Sequence, residues 1–528
     1  MSGDQAHAHS AQAWHAAVAE THASAVFFAG DRAYKLKKPV NLGFLDFTTR
    51  ESRAAACERE VQLNRRFAPD VYLGVAEVRG PAGELCDHLV VMRRMPADRR
   101  LSRLVKAHAP VSEDTAAQVR QVARILAAQH AAAARGPRIA EQGGRDALME
   151  RWNANLDQMR PFGRRLGSEA AIAETRRLSE RFLAGRARLF ESRVRAGRVI
   201  DGHGDLLADD IFCLDDGPRI LDCLDFDDRL RWLDGLDDAA FLAMDLEHLG
   251  AADLAEKFTS WYAEFSADPA PDSLLHHYVA YRAFVRAKVS CMRWEQGDHE
   301  ARADAARFTE QALRHLRQGA VTFVVIGGLP GTGKSALAGE LADLLGFAVL
   351  SSDRIRKELA GVPPHQPCPA EYGSGIYSPS WTERTYRELL SRAERLLSLG
   401  QSVIADASWN APQRRAAASA VADRAEADLV MLRCAAPADV TMRRLRARSG
   451  NVSDADEQIA RRMADEEQSW PGAVTIDTSY GACQPVEDAA PPPARPAERA
   501  LRAIRPYGVG SAARPRADTG GKPAMPPD

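Results

Sequence analysis

The sequence predicts two domains of different class, an α+β domain followed by an α/β domain. Residues near 20–95 alternate like strands around tight turns, whereas residues from about 112 to 318 keep mainly helical spacing. Beyond 318, short apolar strands alternate with helical segments, the pattern of a parallel sheet with helices on both faces. At 528 residues the chain is also too long for one ordinary domain.

In the first domain, residues 26–37 read as a hairpin turning at Gly30-Asp31. Residues 48–67 read as a helix capped by Thr48 or Thr49, with Glu51 in its first turn. Residues 88–92 form another strand. Val119, Val122, Ile125, Leu126 and His130 keep helical spacing, and His130 reads as a satisfied core histidine. A small sheet-rich lobe before a large helical lobe is the division of a kinase-like fold. In the second domain, strands are expected at 321–327, 347–351, 402–405, 429–434 and 473–476. The expected boundaries are 1–318 and 319–483, with a Pro- and Ala-rich stretch from 484 to 528 expected to be disordered.

Bulk composition narrows the function. The net charge of −2 gives no global pull toward nucleic acid or an anionic membrane, so a nucleic-acid partner is not expected. Eight cysteines are scattered without a CxxC pair, which reads as buried thiols in a reducing compartment. Residues 1–22 lack an apolar core of signal-peptide length, and no apolar run is long enough to span a membrane, so a cytoplasmic location is expected. Lysine is scarce at nine residues, three of them Lys35, Lys37 and Lys38.

The sharpest motif is Gly328-Leu329-Pro330-Gly331-Thr332-Gly333-Lys334-Ser335, between an apolar strand and an amphipathic helix. That context defines a P-loop. Its glycines (Gly328, Gly331 and Gly333) turn backbone N–H groups, including that of Thr332, onto phosphates at a helix N-terminus. Lys334 is expected to reach the β/γ-phosphates of ATP, and Ser335 to ligate Mg2+. A strand ending in Asp406 reads as the accompanying Walker B position.

A second constellation runs from His203-Gly204-Asp205 through Asp209-Asp210 to Asp222 and Asp225-Phe226. Carboxylates between apolar strand-like residues are costly unless they meet cations or donors, and magnesium on a triphosphate is a natural answer. The spacing fits a kinase catalytic loop, with a base, a metal ligand five residues on, and another metal acid on the next hairpin.

On these residues the first ~315 positions resemble the aminoglycoside phosphotransferase/choline kinase branch of the kinase-like fold. The resemblance implies Asp205 as the base for the acceptor hydroxyl and Asp210 as a metal ligand where that family has Asn. Asp225 is preferred over Asp222 as the second metal acid, because Phe226 follows it. It also implies Lys35, with Lys37 as runner-up, as the strand lysine, partnered by Glu60 or by Glu58. The second domain resembles P-loop kinases of the gluconate kinase, polynucleotide kinase and zeta-toxin type. There Asp353 is implied as base, Arg356 as holder of the acceptor or its phosphate, and Arg444 and Arg448 as lid arginines on the phosphates. The turn-rich residues 361–381 are expected to cover the acceptor. The whole arrangement resembles the bacterial bifunctional aminoglycoside phosphotransferase/ATP-binding family. It implies ATP and Mg2+ as cofactors and a small-molecule hydroxyl acceptor, sugar- or aminocyclitol-like. A regulatory ATP-binding protein and a toxin-like or nucleic-acid-end kinase are the alternatives.

Overall fold

The computed structural model describes residues 17–20, 23–41, 46–107, 110–366, 368, 373–447, 457–466, 468–479 and 495–504. The chain divides into two compact units. The first comprises Met1–Arg176, Phe190–Ala270 and His277–His315; the second comprises Arg177–Leu189, Pro271–His276 and Leu316–Asp528.

The first unit opens with a five-stranded antiparallel sheet of β1 (Ala17–Glu20), β2 (Ser24–Ala29), β3 (Arg32–Lys37), β4 (Tyr72–Arg79) and β5 (Leu85–Arg93), ordered β1-β2-β3-β5-β4. The β2–β3 turn falls at Gly30-Asp31, where Gly30 takes a φ of 58° that a side chain disfavours. The helix Arg50–Asn64 follows β3, N-capped by Thr49, whose hydroxyl accepts from the Ser52 N–H. It buries Cys57 and Val61 against Val71, just before β4, and against Tyr72 and Val90 of the sheet. The remainder is helical, led by Glu113–Ala132, Arg145–Leu166, Gly235–His248, Ala252–Ser266 and Asp272–Glu295. Two small antiparallel pairs interrupt it: β6 (Val199–Asp201) with β9 (Trp232–Asp234), and β7 (Ile211–Leu214) with β8 (Gly217–Ile220). This is the kinase-like division expected from the sequence.

The second unit is a P-loop fold. Its sheet comprises β10 (Thr322–Gly327), β11 (Ala348–Ser351), β12 (Val403–Asp406), β13 (Asp428–Ala435) and β14 (Val474–Asp477), all parallel, in the order β11-β12-β10-β13-β14. Ile326, Ser351 and Asp406 are register partners, so the carboxyl ends of β10, β11 and β12 meet along one edge. In parallel α/β sheets that edge is where ligands bind.

One segment departs from the expectation of a disordered tail. The helix Pro496–Ile504 packs Ala497, Ala500 and Ile504 into the core with Val324, Leu337, Leu341 and Ile476. Bulk composition hides this helix because alanine carries its buried stripe, whereas the 497/500/504 spacing is helical. Ile504→Ala is therefore expected to cost the second unit about 2–5 kcal/mol in denaturant unfolding, as for other buried aliphatic truncations. A tail without structure predicts no change.

Candidate functional sites

In the first unit, β3 and the helix Arg50–Asn64 deliver a buried charge network. Lys35 Nζ donates to Glu60 Oε1 at 2.9 Å and to Asp222 Oδ1 at 2.9 Å. Lys37, two residues on and thus on the same strand face, lies 2.6 Å from Glu60 Oε2 and donates to Asp225 Oδ2 at 2.8 Å. Glu60 is buried, whereas Glu58 is exposed, so Glu60 is the helix partner of both lysines.

The acids arrive from the other lobe along a pinned backbone. Leu221 N–H donates to the Asp210 carbonyl at 3.0 Å, and Leu224 N–H to the His203 carbonyl at 3.1 Å. The segment carrying Asp222 thus runs beside the loop carrying Asp205 and Asp210. Cys223 N–H donates to Asn64 Oδ1 at 2.8 Å, and Asp222 N–H to the Tyr72 hydroxyl at 3.2 Å. Asp238 holds the loop from below, accepting from the His203 and Gly204 N–H groups at 2.6 and 2.9 Å and meeting His130 Nε2 at 3.1 Å. His130 Nδ1 lies 2.8 Å from the Tyr262 hydroxyl, so this histidine is satisfied in the core.

These contacts separate the two acids, Asp222 and Asp225, between which the sequence preferred Asp225. Asp225 is not the acid gathered with Asp205 and Asp210; its side chain is 18% exposed and ends on Lys37. Asp222 is the acid beside them, with a side chain 55% exposed, and it sits at φ 61°, a strained backbone that bulky residues avoid. Phe226, whose position favoured Asp225 in the sequence, is 42% exposed and so does not pack as the Phe of a kinase metal motif.

Electrostatics marks the same cluster. Burial pushes Asp205 up to about 6, Asp222 and Asp245 add to the push, and Arg286 and Arg282 oppose it. Burial, then Asp222, Asp205 and Asp209, drive Asp210 well above the usual carboxylate range. Lys35 above all, aided by its hydrogen bond and by Lys37, keeps Asp222 ionised. Because Asp205 titrates higher folded than unfolded, its stabilising effect is complete below about pH 4 and is lost as pH rises through 6. Asp205→Asn is accordingly expected to raise the melting temperature of the metal-free chain at about pH 7 and to leave it unchanged at about pH 4. Equal effects at both pH values contradict this electrostatic assignment.

In the second unit, β10 runs into the glycine loop and the helix Lys334–Leu345. Gly328, Gly331 and Gly333 take φ of 135°, 83° and 86°, and at Gly328 and Gly331 the surroundings leave no room for a side chain. A Cβ on Gly328 would stand 2.5 Å from the Cys434 carbonyl oxygen, and one on Gly331 would stand 2.6 Å from Thr441 Cγ2. Thr332 Oγ1 and Lys334 Nζ both donate to the Leu329 carbonyl, at 2.8 and 2.9 Å, and Thr478 Oγ1 donates to the Thr332 carbonyl. Ser335 Oγ donates to Asp406 Oδ2 at 2.6 Å, joining the first turn of the helix to the end of β12. Gly331→Ala is expected to cost about 1–3 kcal/mol of overpacking and to weaken nucleotide binding at this loop about tenfold or more by calorimetry.

Asp353 stands in the first turn of the helix Ser352–Leu359, two residues beyond the end of β11. Arg356, one turn on, is buried; its Nη1 donates to the Ile376 carbonyl at 2.7 Å and to Thr382 Oγ1 at 3.2 Å, and its guanidinium lies over the Tyr377 ring. Arg356 thus pins part of the 361–381 stretch expected to cover the acceptor. Arg444 does not stand out as a detached lid residue. Its Nη2 donates to the Thr478 carbonyl at 2.6 Å, and its Nη1 lies 3.5 Å from where a Gly333 Cβ would stand, next to the phosphate loop. Arg448 lies outside the described residues.

The donor sets fit magnesium and a polyphosphate. Each site offers one or two carboxylates, with a hydroxyl in the second unit, and magnesium takes such hard oxygens while phosphates and water complete its shell. Among the described residues no group of three or more His, Cys, Asp or Glu forms a metal cage without such help.

A kinase-like lobe pair and a P-loop domain define a chain of ATP-binding phosphotransferase fold. An AAA domain family model matches residues 323–468. The chain is 44% identical over 462 residues to the uncharacterized protein Rv2004c of Mycobacterium tuberculosis, covering 88% of this chain and 92% of that protein. It matches the uncharacterized protein Mb2027c of Mycobacterium bovis to the same extent. The chain belongs to the family of these mycobacterial proteins. Among solved structures, the GDP and kanamycin complex of APH(2")-IIia is 15% identical, with a TM-score of 0.37 over 57% of this chain and 93% of that one. A choline/ethanolamine kinase family protein from Mesorhizobium loti is 15% identical, with a TM-score of 0.33 over 58% and 94%. A sugar kinase from Janibacter is 19% identical, with a TM-score of 0.25 over 35% and 96%. Among the described residues no helix is long and apolar enough to cross a membrane.

Proposed function

We propose that each unit binds MgATP and transfers its γ-phosphoryl group to a hydroxyl of a small molecule. The observation that carries this reading is Lys35 bridging Glu60 and Asp222 beside the Asp205 loop. A kinase needs that constellation: a lysine for the phosphates, fixed by a helix glutamate, with a metal acid and a base in reach. In the second unit the corresponding support is Ser335 bonded to Asp406 beside a glycine-rich loop that is closely packed at Gly328 and Gly331.

The roles follow from position. Asp205 and Asp353 accept the proton of the acceptor hydroxyl. Asp210 and Asp222 in the first unit, and Ser335 and Asp406 in the second, hold magnesium, which when bound neutralises charge on the phosphates. Lys35 and Lys334 orient the phosphates, and Arg356 and Arg444 hold anionic groups at the second site. A regulatory reading of the first unit, with nucleotide bound but not turned over, has one observation in its favour. Asp210 adds a carboxylate where the resembled family has a neutral amide, and Asp205 and Asp222 already press on it.

Labelled ATP and a metabolite library, applied to the full chain and to Asp205→Ala and Lys334→Ala, test the proposal. Acceptor-dependent ADP release is expected, and loss of a general base lowers its own unit's rate by about 10²–10⁴. Turnover and nucleotide binding untouched by either substitution contradict these site assignments.

A further inference from the structure

A cation without a partner bears on the base of the first unit. Arg282 and Arg286 are one turn apart on the helix Asp272–Glu295 and so share a face. Arg282 is buried and gripped by Asp237 at 2.7 and 2.8 Å, and its Nη1 lies 3.5 Å from the carbonyl of Gly204, the residue before Asp205. From the adjacent turn, Arg286 is the positive charge that acts most strongly on Asp205, and it acts on Asp245 as well.

Among the described residues Arg286 makes no hydrogen bond or ion pair, and its Nε is buried without an acceptor. Apart from Asp205, Asp210 and Asp222, which the proposed reaction commits to the hydroxyl proton and to magnesium, the acids around it are engaged. Asp209 binds Arg100 and Ser102, Asp237 binds Arg282, and Asp245 accepts from the Ala208 N–H. Asp238 holds the loop N–H groups, and Glu247 binds Arg314 and His315. A polycationic acceptor finds Asp209, Asp237, Asp238, Asp245 and Glu247 already occupied and a guanidinium charge near the base, which like-charge repulsion penalises. A partly buried, unpaired cation is costly in the free chain, and an arriving anion offsets that cost.

We propose that Arg286 makes the acceptor subsite of the first unit select a hydroxyl compound that also carries an acidic group, phosphate or carboxylate, held beside the reacting hydroxyl. This rests on the reading of that unit as a MgATP-dependent phosphotransferase. It departs from the aminocyclitol-like acceptor that family resemblance alone implies.

Calorimetry on the full chain carrying Lys334→Ala and saturated with MgADP tests it. The probes are glycerol 3-phosphate, glucose 6-phosphate, gluconate, glucose and kanamycin. At least one anionic probe is expected to bind, and Arg286→Gln to weaken that binding about tenfold or more. Arg286→Lys retains part of it, and MgADP binding stays intact in both variants, which shows that they are folded. Phosphates alone binding identifies a phosphorylated acceptor, and gluconate alone a carboxylated one. The proposal is overturned if no anionic probe binds, if Arg286→Gln leaves anion binding unchanged, or if glucose or kanamycin binds as well as the anions do. If MgADP itself fails to bind the Lys334→Ala chain, the phosphotransferase reading of the first unit falls, and this inference with it.

Discussion

Asp222→Asn, in a chain whose second site is disabled by Lys334→Ala, is expected to abolish the magnesium dependence of ATP binding at the first site. The effect on ATP affinity should be tenfold or more, about 1.4 kcal/mol at least, since a charged, metal-facing oxygen is lost. Asp225→Asn is expected to leave the magnesium dependence in place. Asp225 ends on Lys37 Nζ at 2.8 Å, so its neutralisation disturbs a buried ion pair and lowers stability instead. Titrating ATP with and without magnesium into the two variants separates the roles. The assignment fails if Asp225→Asn removes the magnesium effect and Asp222→Asn does not.

The largest stability effect is expected at Arg193. Its guanidinium donates to Asp234 Oδ1 and Oδ2 at 2.6 and 2.7 Å and to both oxygens of Asp268, and all three side chains are buried. Tyr278 OH donates to Asp234 Oδ2 at 3.2 Å. Removing the cation leaves two carboxylates buried and uncompensated, so Arg193→Met is expected to cost about 3–5 kcal/mol. The damage should reach the site. Asp234 caps the helix Gly235–His248 by accepting from the Leu236 N–H, and that helix carries Asp238, which holds the His203-Gly204 backbone. Denaturant unfolding followed by first-site nucleotide binding tests this. A change below about 1 kcal/mol contradicts the view that the cluster is isolated from water.

Much of the fold was legible because its signals are local. The β2–β3 hairpin was announced by Gly30-Asp31 between alternating residues, and the P-loop by the spacing of its glycines, which take a positive φ that side chains disfavour. Lys35 and Glu60 came from the family resemblance, because strand period puts Lys35 and Lys37 on one face and leaves both open. The choice between Asp222 and Asp225 was not legible. Both lie on one short stretch, and only the long-range pairing of β3 with the catalytic lobe assigns Lys35 to one and Lys37 to the other. The same holds for Arg286, whose significance lies in what its neighbours already bind. The helix Pro496–Ile504 was hidden because alanine weighs little in composition yet packs closely in a core.

The central claim is that one chain holds two separate nucleotide sites. Calorimetric titration with a non-hydrolysable ATP analogue and magnesium tests it most directly. Two binding events per chain are expected. Lys334→Ala should remove one and Lys35→Ala the other, and the double variant should bind none. A single event that survives both substitutions contradicts the account.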